Sequence, residues 1–415
     1  MASSRYDIAI VGGGLVGASL AVAMRGSGHR ILLVEAFAPD SASQPSFDER
    51  TTALGNASRR IFEATGVWQA MRANAAPITA IHVSDAGRFA FARLEASKLG
   101  LDALGYVVPN RVLGRALWAA LASDPDITLR VPARVETLGT QTMGAESGGS
   151  LALGISSSTD TQVVSARLVV ACDGGASRMR ELLGIAATVD DYAQQAVVAS
   201  LLTDAPNNGL AYERFTPAGP MALLPLAAGP EAGWRTLVWA ARPDDARRLM
   251  SLDAPQFLRE WQQAFGWRAG RALRLGTRAC YPLALTRSQA SVAARVVLLG
   301  NAAQALHPVA GQGFNLGLRD AAALAEQLAQ WTGDPGDPEL LARFAAGREA
   351  DREGVVRFTD TLVRAFSDSR PLVGGLRDAG LLLFDLMPPA KQALSRVSLG
   401  FGRNTPRLAR GLPLR

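Results

Sequence analysis

The sequence predicts an α/β fold in which a parallel-sheet domain, assembled from three separate stretches of chain, is interrupted by an antiparallel sheet domain and followed by a helical region. Three observations carry that prediction. Short, continuously apolar runs recur at Tyr6 to Val11, His29 to Glu35, Arg167 to Cys172 and Arg295 to Gly300, which is the pattern of parallel strands buried on both faces. Between Ala193 and Tyr281 the texture changes to short alternating strands broken by Pro206, Pro217, Pro220, Pro225 and Pro230. After Asp337 the spacing is helical.

In chain order, the first apolar run ends in a glycine cluster, Leu15 to Met24 has helical spacing with small residues, and the second run follows. Together they make a complete βαβ unit in about 30 residues. A polar loop from Pro39 to Gln44 leads to a helical stretch from Ser58 to Arg72, and a hairpin is expected around Asp85, between Ile78 to Val83 and Gly87 to Phe91. Asn110 to Leu121 is helical, Ile127 to Ala133 a strand, and Glu136 to Val164 an antiparallel ribbon whose tip is Gly144 to Gly149. One helix is expected near Pro255 to Phe265, and another after the fourth apolar run, starting near Asn315 and ending by Trp331. The expected division is 1–75, 106–185 and 283–335 for the parallel-sheet domain, 76–105 and 186–282 for the antiparallel domain, and 336–415 for the helical region.

A length of 415 residues suits two to three domains. With 48% hydrophobic and 19% charged residues the composition is that of a globular protein, not of a disordered, collagen-like or coiled-coil chain. Only Lys98 and Lys391 among the 43 cations are lysines, so the basic pI of 9.9 reflects arginine-rich coding and is weak ground for a nucleic-acid partner. From Met387 to Arg415 there are six cations and no acid, which accounts for the whole net charge of +6. That basic end follows an amphipathic stretch, Pro371 to Met387. The pair suits an anionic lipid surface, at about 1 kcal/mol per cation; packing on the rest of the protein, or a solvated tail, is the alternative. Cys172 and Cys280 make neither a disulfide framework nor a metal spacing, and no metal site is expected. The apolar run from Ile8 to Met24 contains four glycines and follows Asp7, so it reads neither as a signal peptide nor as a membrane span. A cytoplasmic location, with peripheral contact to the inner membrane, is the expectation.

The chemistry lies in the glycine clusters. Gly12-Gly13-Gly14-Leu15-Val16-Gly17 is a G-x-G-x-x-G between a strand and a helix. Gly12 permits the tight turn, Gly14 lets a pyrophosphate approach the backbone, and Gly17 lets helix and strand pack closely. The helix N-terminus then offers N–H groups to phosphate. Glu35 closes the second strand 18 residues past Gly17, where an acid accepts hydrogen bonds from a ribose. These features predict a bound dinucleotide. Downstream, Asp173-Gly174 and Gly300-Asn301 each close a buried strand without a second G-x-G-x-x-G between them. The run Gly311-Gln312-Gly313-Phe314-Asn315 then lets bare backbone reach a ligand at a helix start.

These landmarks resemble the single-component FAD monooxygenases, the flavoprotein aromatic hydroxylases typified by para-hydroxybenzoate hydroxylase, in order and over residues 6 to about 320. Phe47 to Leu54, Phe215 to Leu226 and Gly300 to Pro308 are most similar to the ubiquinone-biosynthesis branch, in particular its hydroxylases of 2-polyprenyl-6-methoxyphenol. Asn301 and Gln304 stand where the wider family has Asp and His, a departure usual in that branch.

The resemblance implies a Rossmann-type FAD-binding domain with an inserted substrate sheet, FAD as cofactor and NAD(P)H as co-substrate. Oxygen would add to the reduced flavin to give a C4a-hydroperoxide that hydroxylates an electron-rich, polyprenylated phenol. It further implies that Gly12, Gly13, Gly14, Val16, Gly17 and Glu35 hold the ADP half, and that Arg50 and Arg115 lie near the pyrophosphate and flavin. Asp173 would touch the pyrophosphate side or a nearby backbone, Asn301 the ribityl chain, and Pro308 to Asn315 would edge the isoalloxazine. Because the cofactor carries the hard step, no catalytic triad is expected. His307, beside Pro308 in the flavin loop, is the candidate for assisting phenol deprotonation, with a structural hydrogen bond as the alternative. Phe215, Met221, Leu223 and Leu224 are candidates for an apolar substrate channel, with core filling as the alternative. Besides the aromatic substrate and O2, contact with a membrane or a ubiquinone-synthesis complex is expected. A soluble aromatic substrate, or a catalytically weak flavin-binding scaffold, are the competing readings.

Overall fold

The computed structural model describes residues 4–41, 44–88, 91–141, 149–158, 160–229, 231–308, 311–367 and 404–414. The four apolar runs become the centre of one sheet. Strands β1 (Arg5–Val11), β2 (Ile31–Val34), β11 (Thr161–Ala171) and β18 (Val296–Leu298) lie parallel in the order β18-β11-β1-β2, extended by β8 (Ile127–Arg130) beside β2 and by the short β17 (Val292–Ala293) beside β18. Alternate side chains of β1 enter different cores. Ile8 and Ile10 pack among α1 (Leu15–Ala23), α4 (Asn110–Leu121) and α8 (Gln312–Gln330), whereas Ala9 and Val11 pack against the ribbon of β9 (Ala133–Gln141) and β10 (Ser150–Ser157). Burial on both faces is why the centres of these strands, such as Ile8 to Val11 and Leu168 to Ala171, are apolar at consecutive positions.

The second sheet has the order β19 (Gln304–Ala305), β16 (Ala272–Ser288), β12 (Ala187–Thr203), β15 (Trp234–Ala241), β14 (Gly219–Pro225), β13 (Leu210–Thr216), β5 (Ala80–Asp85) and β6 (Phe91–Glu95). The β5–β6 hairpin is the one expected around Asp85, and it joins this sheet through a parallel pairing with β13. One face is covered by α6 (Pro243–Ser251) and α7 (Ala254–Phe265), whose Leu249, Phe257, Trp261 and Phe265 meet Val197, Tyr212, Met221, Leu223, Leu237 and Trp239. A small third sheet, β3 (Thr51–Gly55), β7 (Gly105–Pro109) and β4 (Ala76–Ile78), lies between the two.

Several elements differ from the sequence expectation. The stretch from Ser58 to Arg72 is two helices, α2 (Asn56–Ala64) and α3 (Trp68–Arg72), because Gly66 takes a left-handed φ of +81° between them. Helix α8 starts at Gln312, three residues before Asn315, with Gly311 at φ +60° as its N-cap residue. Helix α6 was not expected, and β12 and β16 are each 17 residues long where short strands were expected.

Helix α9 (Pro338–Ser367) is fastened to α8 by buried charges. Asp320 accepts from Arg348 Nε at 2.7 Å and from Arg352 Nε at 3.0 Å, while Asp351 takes Arg319 at 3.0 Å and also pairs with Arg348. The amphipathic stretch Pro371 to Met387 and the cations Lys391, Arg396, Arg403 and Arg415 lie outside the described residues. Arg407 and Arg410 do not sit on a solvated tail. Their segment returns to the first domain, where Leu408 and Ala409 are buried in the core shared by α2 and α8, and the Arg407 N–H donates to Glu326.

Candidate functional site

The carboxyl ends of β1, β11 and β18 carry the three glycine-containing loops to one place. At Gly12 (φ +102°) a Cβ would stand 2.4 Å from the Cys172 carbonyl oxygen, and at Gly17 it would stand 1.9 Å from that of Gly12. These two glycines therefore let strand and helix touch, as the motif requires. The Gly13 N–H donates to Glu35 Oε2 at 2.5 Å, and the Trp118 indole donates to the Gly13 carbonyl at 3.0 Å. Glu35 is buried and also accepts from the Phe37 N–H at 2.9 Å and from Gln44. Gly14, at the start of α1, faces Ser46. Val16 joins the first loop to the third, since its Cγ2 would be 3.0 Å from a Cβ placed on Gly300 or Gly317.

Asp173 organises its own loop. Its carboxylate accepts from Ser177 Oγ at 2.6 Å and from the Met179 N–H at 2.9 Å, and Ser177 in turn caps α5 (Arg178–Leu182). Arg180 donates to the carbonyls of Ala302 and Gly175, at 3.0 and 2.8 Å, tying the Asp-Gly loop to the turn at Gly300–Ala302, where Asn301 is exposed. Cys172 is a half-buried thiol packed against the first core, its pKa pushed far up by burial and then by the Asp173 charge.

At the start of α8 the Asn315 side chain is fully used by the protein. It donates to the Ala53 and Gly311 carbonyls at 2.8 and 2.7 Å and accepts from the Gly55 N–H at 2.8 Å and Ser58 Oγ at 2.6 Å. Phe314 stacks on Phe62 and Gln312 is buried, but a Cβ on Gly313 would meet nothing within 4 Å. Pro308 is exposed beside this loop. His307 is buried edge-on to Tyr192, with ring centres 5.2 Å apart, and burial lowers its pKa to about 4. Its imidazole is therefore neutral near pH 7.

Arg50 is held by Asp48 (2.6 Å) and the Pro45 carbonyl (2.5 Å) and lies 4.5 Å over the Tyr281 ring, whose hydroxyl donates to Asp48 at 2.9 Å. This cluster borders a cleft of about 510 Å³ between the first domain, at Asp48 to Thr51 and Arg111, and the second sheet, at Val198, Thr236 and Ala279. Arg115 is exposed on α4. Met221 and Leu223 are fully buried under α6 and α7, on the sheet face turned away from this cleft. The alternation of β14 instead puts Ala222 and Leu224 on the near face, and Phe215 of β13 is on the near side with Ala211. Sequence reasoning missed Trp118 and Tyr281, of which the motif spacing carries no sign. It did name Arg180, beside Ser177 and Arg178, as a residue able to assist cofactor contact at the Asp-Gly motif.

The first domain fits a flavin dinucleotide. Among the described residues no side chain caps the N-terminus of α1, so its first-turn N–H groups are open to anionic groups, and Gly174 and Gly175 are bare backbone where a Cβ would meet no described residue within 4 Å. An acid at the end of β2 and three loops at the strand carboxyl ends complete the pattern. These features define a dinucleotide-binding flavoprotein with an inserted substrate sheet. The chain belongs to the FAD binding domain family, whose profile matches residues 5–359. It is similar to ubiquinone hydroxylase UbiL of Rhodospirillum rubrum (37% identity, 98% of this chain and 93% of that protein) and to 3-demethoxyubiquinol 3-hydroxylase of Escherichia coli (31%, 96% and 100%). Among solved structures it shares the fold of p-nitrophenol 4-monooxygenase PnpA from Pseudomonas putida (TM-score 0.79, 17% identity, 97% of this chain and 99% of that one). The chain is an FAD-dependent aromatic-ring monooxygenase of ubiquinone biosynthesis, with NAD(P)H as co-substrate.

Proposed function

We propose that this enzyme hydroxylates a polyprenylated phenol, 2-polyprenyl-6-methoxyphenol, with NAD(P)H and O2. The observation that carries the substrate class is the sheet face bordering the cleft. Val198, Ala222, Leu224 and Val238 are mid-strand yet only partly covered, and they make an apolar floor. Cations at the cleft are already matched: Arg50 by Asp48, Arg111 by Glu49, and Arg278 by the Leu249 and Leu252 carbonyls. That arrangement favours a prenylated ring over a soluble aromatic acid.

FAD, when bound, supplies the electron transfer and oxygen activation. The residues of the chain bind and orient. Gly12 to Gly17 and Glu35 hold the ADP half at the N-terminus of α1, with Asp173 and Arg180 shaping the pyrophosphate side. Arg50 and Arg115 lie towards the flavin and Asn301 towards the ribityl chain. The N–H groups opening α8, from Gln312 to Phe314, face the ring system, and Asn315 keeps that helix start against β3. Neutral His307 and Pro308 edge the reaction chamber, and Phe215 lies behind its floor. Anchoring of residues 387–415 on anionic lipid belongs to the same reading, although Arg407 and Arg410 are on the docked segment; among the described residues no helix is long and apolar enough to cross a membrane.

The test is NADPH oxidation by the purified flavoprotein, with and without a short-chain 2-prenyl-6-methoxyphenol, with mass spectrometry of the organic extract. A product heavier by one oxygen, labelled from oxygen gas, is the expected result. FAD-loaded protein that yields no product from prenylated phenols but hydroxylates a soluble aromatic acid would overturn the substrate class.

A further inference from the structure

We propose that Glu213 is the acid–base residue of the substrate chamber, taking the phenolic proton of the substrate and returning it to the product. This rests on the phenol hydroxylation proposed above.

The register of the second sheet sets one row of side chains across five strand pairings: Val83, Glu213, Ala222, Val238, Val198 and Ala279, each directly opposite the next. The last two also line the cleft against the first domain. Residues next in sequence to the row, such as Tyr212, Met221, Leu237 and Val197, point the other way and are buried under α6 and α7. Every member of the row is only partly covered, although the strands are central in an eight-stranded sheet. Mid-strand side chains that keep part of their surface accessible stand on an incompletely covered face of the sheet, the face that borders the cleft at Val198 and Ala279. Glu213 is the one ionisable group in the row.

Among the described residues its carboxylate has neither a hydrogen-bond partner nor an ion pair. The charged groups nearest in the fold are engaged elsewhere. Arg214 turns to the opposite face and donates to Ser84, Asp85 on β5 pairs with Arg88, and Asp360 on α9 accepts from Tyr192. A half-buried carboxylate with no partner among the described residues, set in an apolar row, is costly for folding, and its presence there points to a task. Burial alone pushes its pKa from 4.5 up to about 7. Acid and carboxylate forms are then comparably populated near neutral pH, which is what reversible proton transfer needs. His307, lowered to about 4, is the weaker base of the two.

The proton balance closes. The phenol O–H bond breaks, its proton goes to a Glu213 carboxylate oxygen, and the electron pair stays on the phenolic oxygen, raising electron density on the ring carbon to be hydroxylated. When the hydroxylated ring releases its displaced hydrogen as a proton to water, matching the proton taken up as the second oxygen atom of O2 becomes water, it regains aromaticity and Glu213 returns its proton to the phenolic oxygen. O2 is the oxidant and NAD(P)H the reductant, as in the reaction overall, and Glu213 ends as it began.

The experiment compares wild type, Glu213→Gln and Glu213→Asp on two substrates: a short-chain 2-prenyl-6-methoxyphenol, and an analogue made acidic enough by ring fluorination to be ionised at neutral pH. Product and flavin content are both measured. Glu213→Gln is expected to hold FAD normally and to lose about 10²- to 10⁴-fold in hydroxylation of the weakly acidic phenol, yet to stay within about tenfold of wild type on the ionised one. The kcat/KM profile of wild type should show an acid limb near pH 7 that Glu213→Asp keeps and Glu213→Gln lacks. Equal losses on both phenols, no loss on either, or a wild-type profile without that limb would overturn the role of Glu213 alone. A wild-type enzyme that hydroxylates neither phenol overturns the proposed function first, and this role with it.

Discussion

Removing the Asp320 carboxylate tests whether buried charge, and not apolar packing alone, holds the start of α8 in place. Asp320 is fully buried and binds Arg348 at 2.7 Å and Arg352 at 3.0 Å, with Gln304 at 3.5 Å. Asp320→Ala leaves three arginines, 319, 348 and 352, facing Asp351 alone, and Arg352 already has a buried Nη2 without a partner among the described residues. Deleting one partner of a buried pair costs about 3–5 kcal/mol, because the remaining charge stays desolvated. That is a large part of a total stability of roughly 5–15 kcal/mol. At about 2 °C per kcal/mol for a chain of this size, Tm should fall by about 6–10 °C. Thermal unfolding followed by circular dichroism and by flavin fluorescence reads both effects, and flavin release should precede global unfolding because α8 carries the loop from Gly311 to Asn315. Asp320→Asn should be intermediate. The triple variant Asp320→Ala, Arg348→Met, Arg352→Met should recover most of the loss, since no unmatched charge remains. A single variant within about 1 kcal/mol of wild type, or a triple variant no better than the single, refutes this reasoning.

Gly17→Ala should yield apoprotein, seen as loss of visible flavin absorbance, because its Cβ would fall 1.9 Å from the Gly12 carbonyl and the phosphate turn must open. Asn315→Ala removes four hydrogen bonds and should cost about 2–4 kcal/mol, with faster flavin dissociation in stopped-flow release. Glu213→Leu should stabilise the protein at pH 8 and not at pH 4. The folded pKa of about 7 stands above the ordinary 4.5, so the wild type loses stability as pH rises from 4.5 through 7, by up to about 3 kcal/mol, and the variant does not. At Asp351 burial pushes the carboxyl up, but Arg319 and Arg348 hold it below the ordinary range, so its contribution is present above the unfolded pKa and vanishes as pH falls through the folded one. Acid unfolding of Asp351→Asn should accordingly be shallower than that of wild type.

The strands of the first sheet were legible because burial on both faces leaves no polar position within residues 8–11, 31–34, 168–171 and 296–298, and a run such as Ile8 to Val11 says so without reference to any other part of the chain. The Gly12 to Gly17 loop was legible for a similar reason. A turn that must bring backbone against backbone tolerates only glycine there, and the contacts of Gly12 and Gly17 bear this out. Helix boundaries were less so, since Gly66 and Gly311 end or begin helices through a left-handed φ that neighbouring residues do not announce.

What tertiary structure decided is which of two chemically equal faces meets the cleft and which partner satisfies each polar group. Met221 and Leu223 alternate with Ala222 and Leu224, and only the arrival of α6 and α7 on one side assigns the first pair to the core. Asn315 sits in the glycine-containing run that opens α8, yet its four hydrogen bonds go to β3, α2 and Gly311. Asp320 and Arg348, 28 positions apart, become a buried pair because α8 packs on α9. Backbone preference is set by the few residues on either side. Burial, and with it the protonation of Glu213 and His307, is set by segments that come from far along the chain, and no local pattern encodes it.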